Sequence, residues 1–159
     1  MPTNSKVYRN RIYFNHSILT NIDTAVIYEE FNTSFYISNN PVNVLARNNY
    51  QNYYTLYSVY RFYGNGCFNL FILDRDKPTL DKEMFDPTFT GWRGVFYRKT
   101  DKINGDLITQ VTGAGSIGTI TETFEFKGDT LLVHDRDRLK HIFIKRHIPK
   151  ELLSFNADW

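Results

Sequence analysis

Cysteine is nearly missing from this chain: Cys67 stands alone. A single thiol can close no intramolecular disulfide, and a zinc site built on several cysteines is excluded. On a strand, such a residue reads as a small core side chain. No apolar run approaches the ~20 residues of a membrane-spanning helix, and the opening MPTNSKVYRNRIYF lacks the apolar stretch of a secretory signal. Strong charge of either sign is also lacking. A net charge of +2 and a pI near 8.6 come from scattered basic residues, which speaks against nucleic acid or an anionic membrane as a partner. Internal repeats of fixed length and low-complexity tracts do not occur.

Aromatic residues are abundant instead, 13 Phe and 11 Tyr among 159 residues, and flat rings favour the pleated surface of a sheet. This length suits one domain, residues 1–159, whose core can bury roughly 68–70% of the surface its unfolded chain exposes. From about residue 53 apolar residues recur with period two, and turn signals come every eight to twelve residues, the pattern of an antiparallel meander, sandwich or barrel. Strands are expected near 53–63, 67–73, 92–99, 106–112, 117–126, 130–134 and 139–147. Before the meander, 1–52 is irregular, with one strand expected over 24–31 and, over 38–49, a loop with a short helical turn. After it, 148–159 forms a tail with a helical turn at KELLSF. The long connection from Asp74 to about Thr90 carries four aspartates and two prolines, with one helical turn expected around LDKEMF.

A two-residue turn at Gly128-Asp129 pairs Phe126 with Leu131 and Phe124 with Val133, and leaves Thr119, Thr121, Thr123 and Glu125 to solvent. If Asp135–Arg138 forms the next turn, Leu131 falls opposite Ile142 and Ile144 continues the inner face. Phe124, Phe126, Leu131, Val133, Ile142 and Ile144 would then share one interior. The same register turns His134, His141 and His147 outward, with Leu132, Leu139 and Phe143, and makes HDRD an exposed hairpin tip with no metal expected.

Glu122 lies between Ile120 and Phe124 on the inner face, and a buried carboxylate needs a partner or a raised pKa. Arg98, Arg61 or a tyrosine hydroxyl are the candidate partners. Two readings stay open: a satisfied structural pair, or a polar anchor at the base of a ligand pocket. In YRFYGNGCFNLFIL, a type I′ turn at Asn65-Gly66 sets Tyr63 opposite Phe68, Tyr60 opposite Phe71 and Val59 opposite Ile72. Both faces of that hairpin are then apolar, so its outer face needs cover from the N-terminal segment or the tail, or a partner.

Motifs of chemistry are wanting. TGAGSIG at 112–118 has no lysine and precedes a strand, so it is no phosphate loop, and RFYGNGCF fails the pattern of an RNA-binding strand. There is no Gly-x-Ser-x-Gly elbow, His-Glu-x-x-His helix or paired-carboxylate arrangement, so no enzyme activity, catalytic residue or cofactor is expected.

The tandem of YSVYRFYGNGCFNLFIL, GVFYRKTDKINGDLITQV, SIGTITETFEFKGDTLLV and HIFIKRHIPKELLSFNADW resembles the lipocalin-like β-barrels found as small bacterial envelope lipoproteins. The likeness covers about 53–159, including a Gly-Asp-Thr-Leu turn and an ending near Asp-Trp. A Gly-x-Trp motif on the first strand is missing; Gly91-Trp92 sits mid-chain. The resemblance implies an all-β, up-and-down barrel of about eight strands with short helical turns at its two termini, large enough to hold one small apolar ligand. It also implies a periplasmic or envelope location, with membrane contact only through a lipid anchor that this chain lacks. In that frame Tyr60, Phe62, Trp92, Phe96 and Phe124 are expected to line a cavity, and Glu122 to orient a small amphipathic ligand. The alternative is a protein-interaction module, an envelope subunit or an inhibitor or immunity protein, meeting its partner through the acidic 74–90 loop or the aromatic outer face.

Overall fold

The computed structural model describes residues 8–31, 55–77, 79–135 and 140–159. Eight antiparallel strands close into a barrel in chain order: β1 Ile27–Glu30, β2 Leu56–Phe62, β3 Cys67–Asp74, β4 Trp92–Lys99, β5 Lys102–Gln110, β6 Ile117–Lys127, β7 Thr130–His134 and β8 Lys140–Arg146. β8 returns to β1 with Ile144 opposite Glu29, which closes the barrel and leaves no strand edge unpaired among the described residues. Among the described residues the remaining helical structure is four short 3-10 turns, Arg9–Tyr13, His16–Asn21, Lys82–Phe85 and Lys150–Leu153. The expected loop over 38–49 lies outside the described residues.

The β6–β7 hairpin has the expected register, with Phe126 opposite Leu131 and Phe124 opposite Val133. Two other registers differ from expectation by one residue, and a one-residue slip moves side chains to the other face. Between β7 and β8, Leu131 faces Phe143, while Ile142 faces Leu132 on the outside. Lys140 pairs with His134, so the connection spans 135–139 and is one residue longer than the turn read from the sequence. Ile142 and Ile144 therefore do not look inward; Phe143 does, and Ile142 is 39% exposed.

Between β2 and β3, Phe62 faces Phe68, Tyr60 faces Leu70 and Val59 faces Phe71. The turn is not the two-residue type. Tyr63 N–H donates to Cys67 O at 2.9 Å and Gly66 N–H to Tyr63 O at 3.3 Å, with Gly66 at φ 88°. That is a three-residue connection, 64–66, closed by a left-handed glycine. A side chain at 66 would also strike the Phe14 ring, 2.8 Å from the Cβ position.

β5 begins four residues before the expected 106. Thr100 and Asp101 both take positive φ, 53° and 62°, and make the β4–β5 turn without glycine. Asn104-Gly105, which has the look of a turn, instead lies within the strand opposite Tyr97 and Phe96.

Antiparallel order places the β2–β3, β4–β5 and β6–β7 turns at one end of the barrel, together with the segment that precedes β1. The N-terminal 3-10 turns plug that end: Ile18 and Ile22 join the inner core, and Phe14 meets Phe96 edge-on at 5.6 Å. Asp106, buried on the outer face, anchors the plug by accepting from Asn10 Nδ2 (2.7 Å), Tyr97 Oη (2.8 Å) and Thr121 Oγ1 (2.8 Å).

The aromatic hairpin is covered on both faces. Tyr60, Phe62 and Phe68 point into the barrel. Tyr57, Val59, Phe71 and Leu73 point out, under Leu80, Phe85 and Ile148. Each ring so buried contributes about 1.5–3 kcal/mol relative to exposure. The outer cover comes from the β3–β4 connection and the tail, while the N-terminal segment serves the barrel end.

Candidate functional site

The six residues expected to form a pocket do converge. Tyr60 and Phe62 on β2, Trp92 and Phe96 on β4, and Glu122 and Phe124 on β6 occupy alternate positions that face the interior, and all but the half-buried Trp92 are buried. The rings fill space rather than line it. Phe62 lies 5.3 Å from Phe96 and 5.2 Å from Phe124, Tyr60 lies 5.5 Å from Phe124, and all three contacts are edge-to-face. The space beside Gly94 is taken by Phe68, whose Cζ would be 2.3 Å from a Cβ there. At Gly105 the Phe124 ring comes equally close. This level of the barrel is packed, as small eight-stranded barrels often are.

Above that packing, the inner face changes character. Glu122, 6% exposed, accepts a 2.7 Å hydrogen bond from Tyr60 Oη, its one hydrogen-bond donor among the described residues. Of the three expected candidates the tyrosine hydroxyl is therefore the partner; Arg61 lies on the outer face. Burial raises the Glu122 pKa, while the Tyr60 hydroxyl and the nearby His141 pull it back and Asp135 pushes it up. Burial, then the Glu122 charge, lifts the Tyr60 hydroxyl well above its usual range.

His141 corrects a sequence expectation. It stands opposite the buried Val133, on the inner face, where its Nε2 lies 3.0 Å from Asp135 Oδ2. The slip between β7 and β8 brings it there. His134 does point outward, 3.3 Å from Glu125, and His147 is exposed beyond β8. Leu139 lies outside the described residues. Half-buried Leu70, Trp92 and Ile120 adjoin the inner core as the apolar part of this end. Among the described residues, no three His, Cys, Asp or Glu side chains converge as a metal site requires.

At the plugged end an open cleft of about 540 Å³ is lined by Thr20, Asn21, Thr24, Phe126 and Lys145 among others. Lys145 Nζ there stands 3.6 Å from Asp23 and 3.8 Å from Asp129. Sequence reasoning found neither this cleft nor the Asp106 anchor. The signal for Asp106 is a carboxylate between Gly105 and Leu107 in an aromatic-rich meander; it becomes readable once β5 is known to start at Lys102. Comparison of the chain with protein-family models, curated proteins and solved structures finds no match in any of the three.

Proposed function

We propose that this protein is a non-enzymatic binding barrel that holds a small amphipathic ligand at the barrel end carrying Glu122. The observation behind the reading is the buried Tyr60–Glu122 pair facing inward beside half-buried Trp92, Leu70 and Ile120. One polar contact set among apolar walls is the usual make-up of a small-molecule site. Because Phe62, Phe68, Phe96 and Phe124 fill the deeper interior, the ligand sits above them and does not pass through the barrel. Envelope association belongs to the same proposal and rests on the resemblance of 53–159 to lipocalin-like lipoproteins; fractionation of cells producing the native chain tests it.

The test is titration with N-phenyl-1-naphthylamine and a dansylated alkylamine, read by the rise in the probe's own fluorescence on direct excitation. Saturable binding of either probe, weakened at least fivefold by Trp92→Ala in a folded variant, supports the reading. Absence of saturable binding by both overturns it.

A second reading, a protein-interaction module, draws on Phe89, 85% exposed in the connection between β3 and β4. That connection also buries Leu80 and Phe85, so its deletion would strip the cover from Phe71. Phe89→Ser is the cleaner probe. Loss of a co-purifying partner, with the fold intact, supports this reading.

A further inference from the structure

Residues 153–159 run along the outer face of β2, β3 and β4 in an arrangement unlike the rest of the fold. No backbone ladder joins them to the sheet among the described residues. Instead, side chains of the β2–β3 hairpin reach the carbonyls of every second residue. Arg61 Nη2 donates to Leu153 O at 2.6 Å and Arg61 Nη1 to Phe155 O at 3.0 Å. Asn65 Nδ2 donates to Ala157 O at 2.8 Å, and Cys67 Sγ lies 3.1 Å from Trp159 O.

Burial follows the same period. Ala157 is buried and Leu153, Phe155 and Trp159 are half-buried, whereas Ser154, Asn156 and Asp158 are exposed. This is how an extended peptide is held in a groove: main-chain contacts give grip, and alternate side chains give selectivity. Selectivity would come from two places. Ala157 is buried against Tyr63 and Cys67, a place that suits a small side chain. The Trp159 indole donates to Gly94 O at 2.9 Å, meets Tyr63 edge-on at 5.9 Å and lies under the Arg93 guanidinium at 5.0 Å.

The floor of the groove is made by the barrel itself. Tyr63 Oη donates to Asn69 Oδ1 at 2.9 Å, and Asn69 Nδ2 to Trp92 O at 3.2 Å. The strap on top is held by four carbonyl contacts, the Trp159 indole, the Lys82 ammonium 5.0 Å over the Phe155 ring and the packing of Leu153, and it leaves the buried Arg61 Nε without an acceptor. Segments with few main-chain bonds open at lower free energy than the ladders beneath them.

We propose that the outer face of β2–β3–β4 is a peptide-binding groove, filled in the resting molecule by residues 153–159 and open in trans to an extended segment of the same chemistry. That partner segment has a small residue two positions before a tryptophan and an apolar residue two positions before the small one. It needs no charge, because the groove reads carbonyls.

The buried thiol of Cys67 beneath Ala157 and Trp159 reports on occupancy, since a covered thiol reacts slowly with maleimide. In the full chain, Ala157→Arg displaces the strap and is expected to speed Cys67 labelling at least tenfold while far-UV circular dichroism stays unchanged. The probe is the peptide LSFNADW, blocked at both ends. At saturation it is expected to return labelling to within about twofold of the unsubstituted chain, and the same peptide with Arg for Ala is expected to give no protection. If Ala157→Arg does not fold, deletion of 157–159, which keeps the contacts of Leu152 and Leu153, takes its place. Three results overturn the proposal: unchanged labelling in a folded variant, fast labelling that millimolar peptide does not slow, or equal protection by the Arg-bearing peptide.

Discussion

Phe68 on β3 occupies the space where a side chain on Gly94 of β4 would begin. A Cβ at 94 would lie 2.3 Å from the Phe68 Cζ and 2.7 Å from the Asp106 carbonyl oxygen. The ring can move, but the carbonyl belongs to the β5 ladder and cannot. Gly94→Ala is therefore expected to cost about 1–3 kcal/mol in urea unfolding, the usual range for an overpacked core. Phe68→Leu in the same chain should recover only part of that loss, because the backbone contact remains. Full recovery would show that the ring alone forbids a side chain at 94.

Tyr60 and Glu122 give an expectation whose sign depends on pH. The hydroxyl favours the carboxylate and offsets part of the effect of burial, so Tyr60→Phe raises the Glu122 pKa further. At about pH 8 the variant is expected to lose about 1.5–3 kcal/mol, the range for a hydrogen bond to a charged group. As pH falls through the folded pKa of Glu122, the carboxyl takes up a proton and the difference between the chains narrows. Urea unfolding at about pH 8 and about pH 4 measures both. A loss of the same size at the two values would mean that the hydroxyl does not act through the carboxylate charge.

Asp106 joins the plugged end to three strands. Asp106→Ala removes the acceptor shared by Tyr97, Thr121 and Asn10 and leaves the buried Tyr97 hydroxyl without it, at about 1–3 kcal/mol. Because Asn10 belongs to the plug, amide exchange over 9–21 is expected to speed up more than exchange in β6 or β7. Uniform acceleration across the barrel would mean that the anchor serves global stability alone.

The sequence made the architecture readable where turn chemistry and alternation agreed. Gly128-Asp129 is a two-residue turn between Phe126 and Leu131, and the register followed from it. It misled where backbone conformation departed from residue type. Thr100 and Asp101 take the left-handed turn while the Asn104-Gly105 pair sits in a strand, its glycine needed because the Phe124 ring lies against it. At 64–66 one additional residue enters the loop, and at 135–139 one more than expected, each exchanging inner and outer faces along a whole strand. That is why Phe143 and His141 were placed outside and Ile142 inside. The six candidate residues face inward as expected because each was read from alternation within its own strand, which a slip between strands does not alter.

Glu29 is buried on the outer face, 2.7 Å from Arg146 Nη1 and near the buried Tyr57, and burial holds its carboxyl up at about 7 despite that cation. Below the ordinary glutamate value of 4.5 both folded and unfolded chains carry the proton, and Glu29 costs nothing. As pH rises from 4.5 toward 7 the unfolded chain releases its proton first, so the folded state binds more protons and stability falls. Above about 7 the loss levels off, at up to about 3 kcal/mol for a shift of this size. Glu29→Gln has no proton to release, so its unfolding free energy is expected to change less over the same range; Glu122, shifted in the same direction, adds to the slope in both chains. Urea unfolding at half-unit steps from pH 4.5 to 8 compares the two. Parallel curves would mean that Arg146 compensates burial fully and that Glu29 stays ionised in the folded chain throughout.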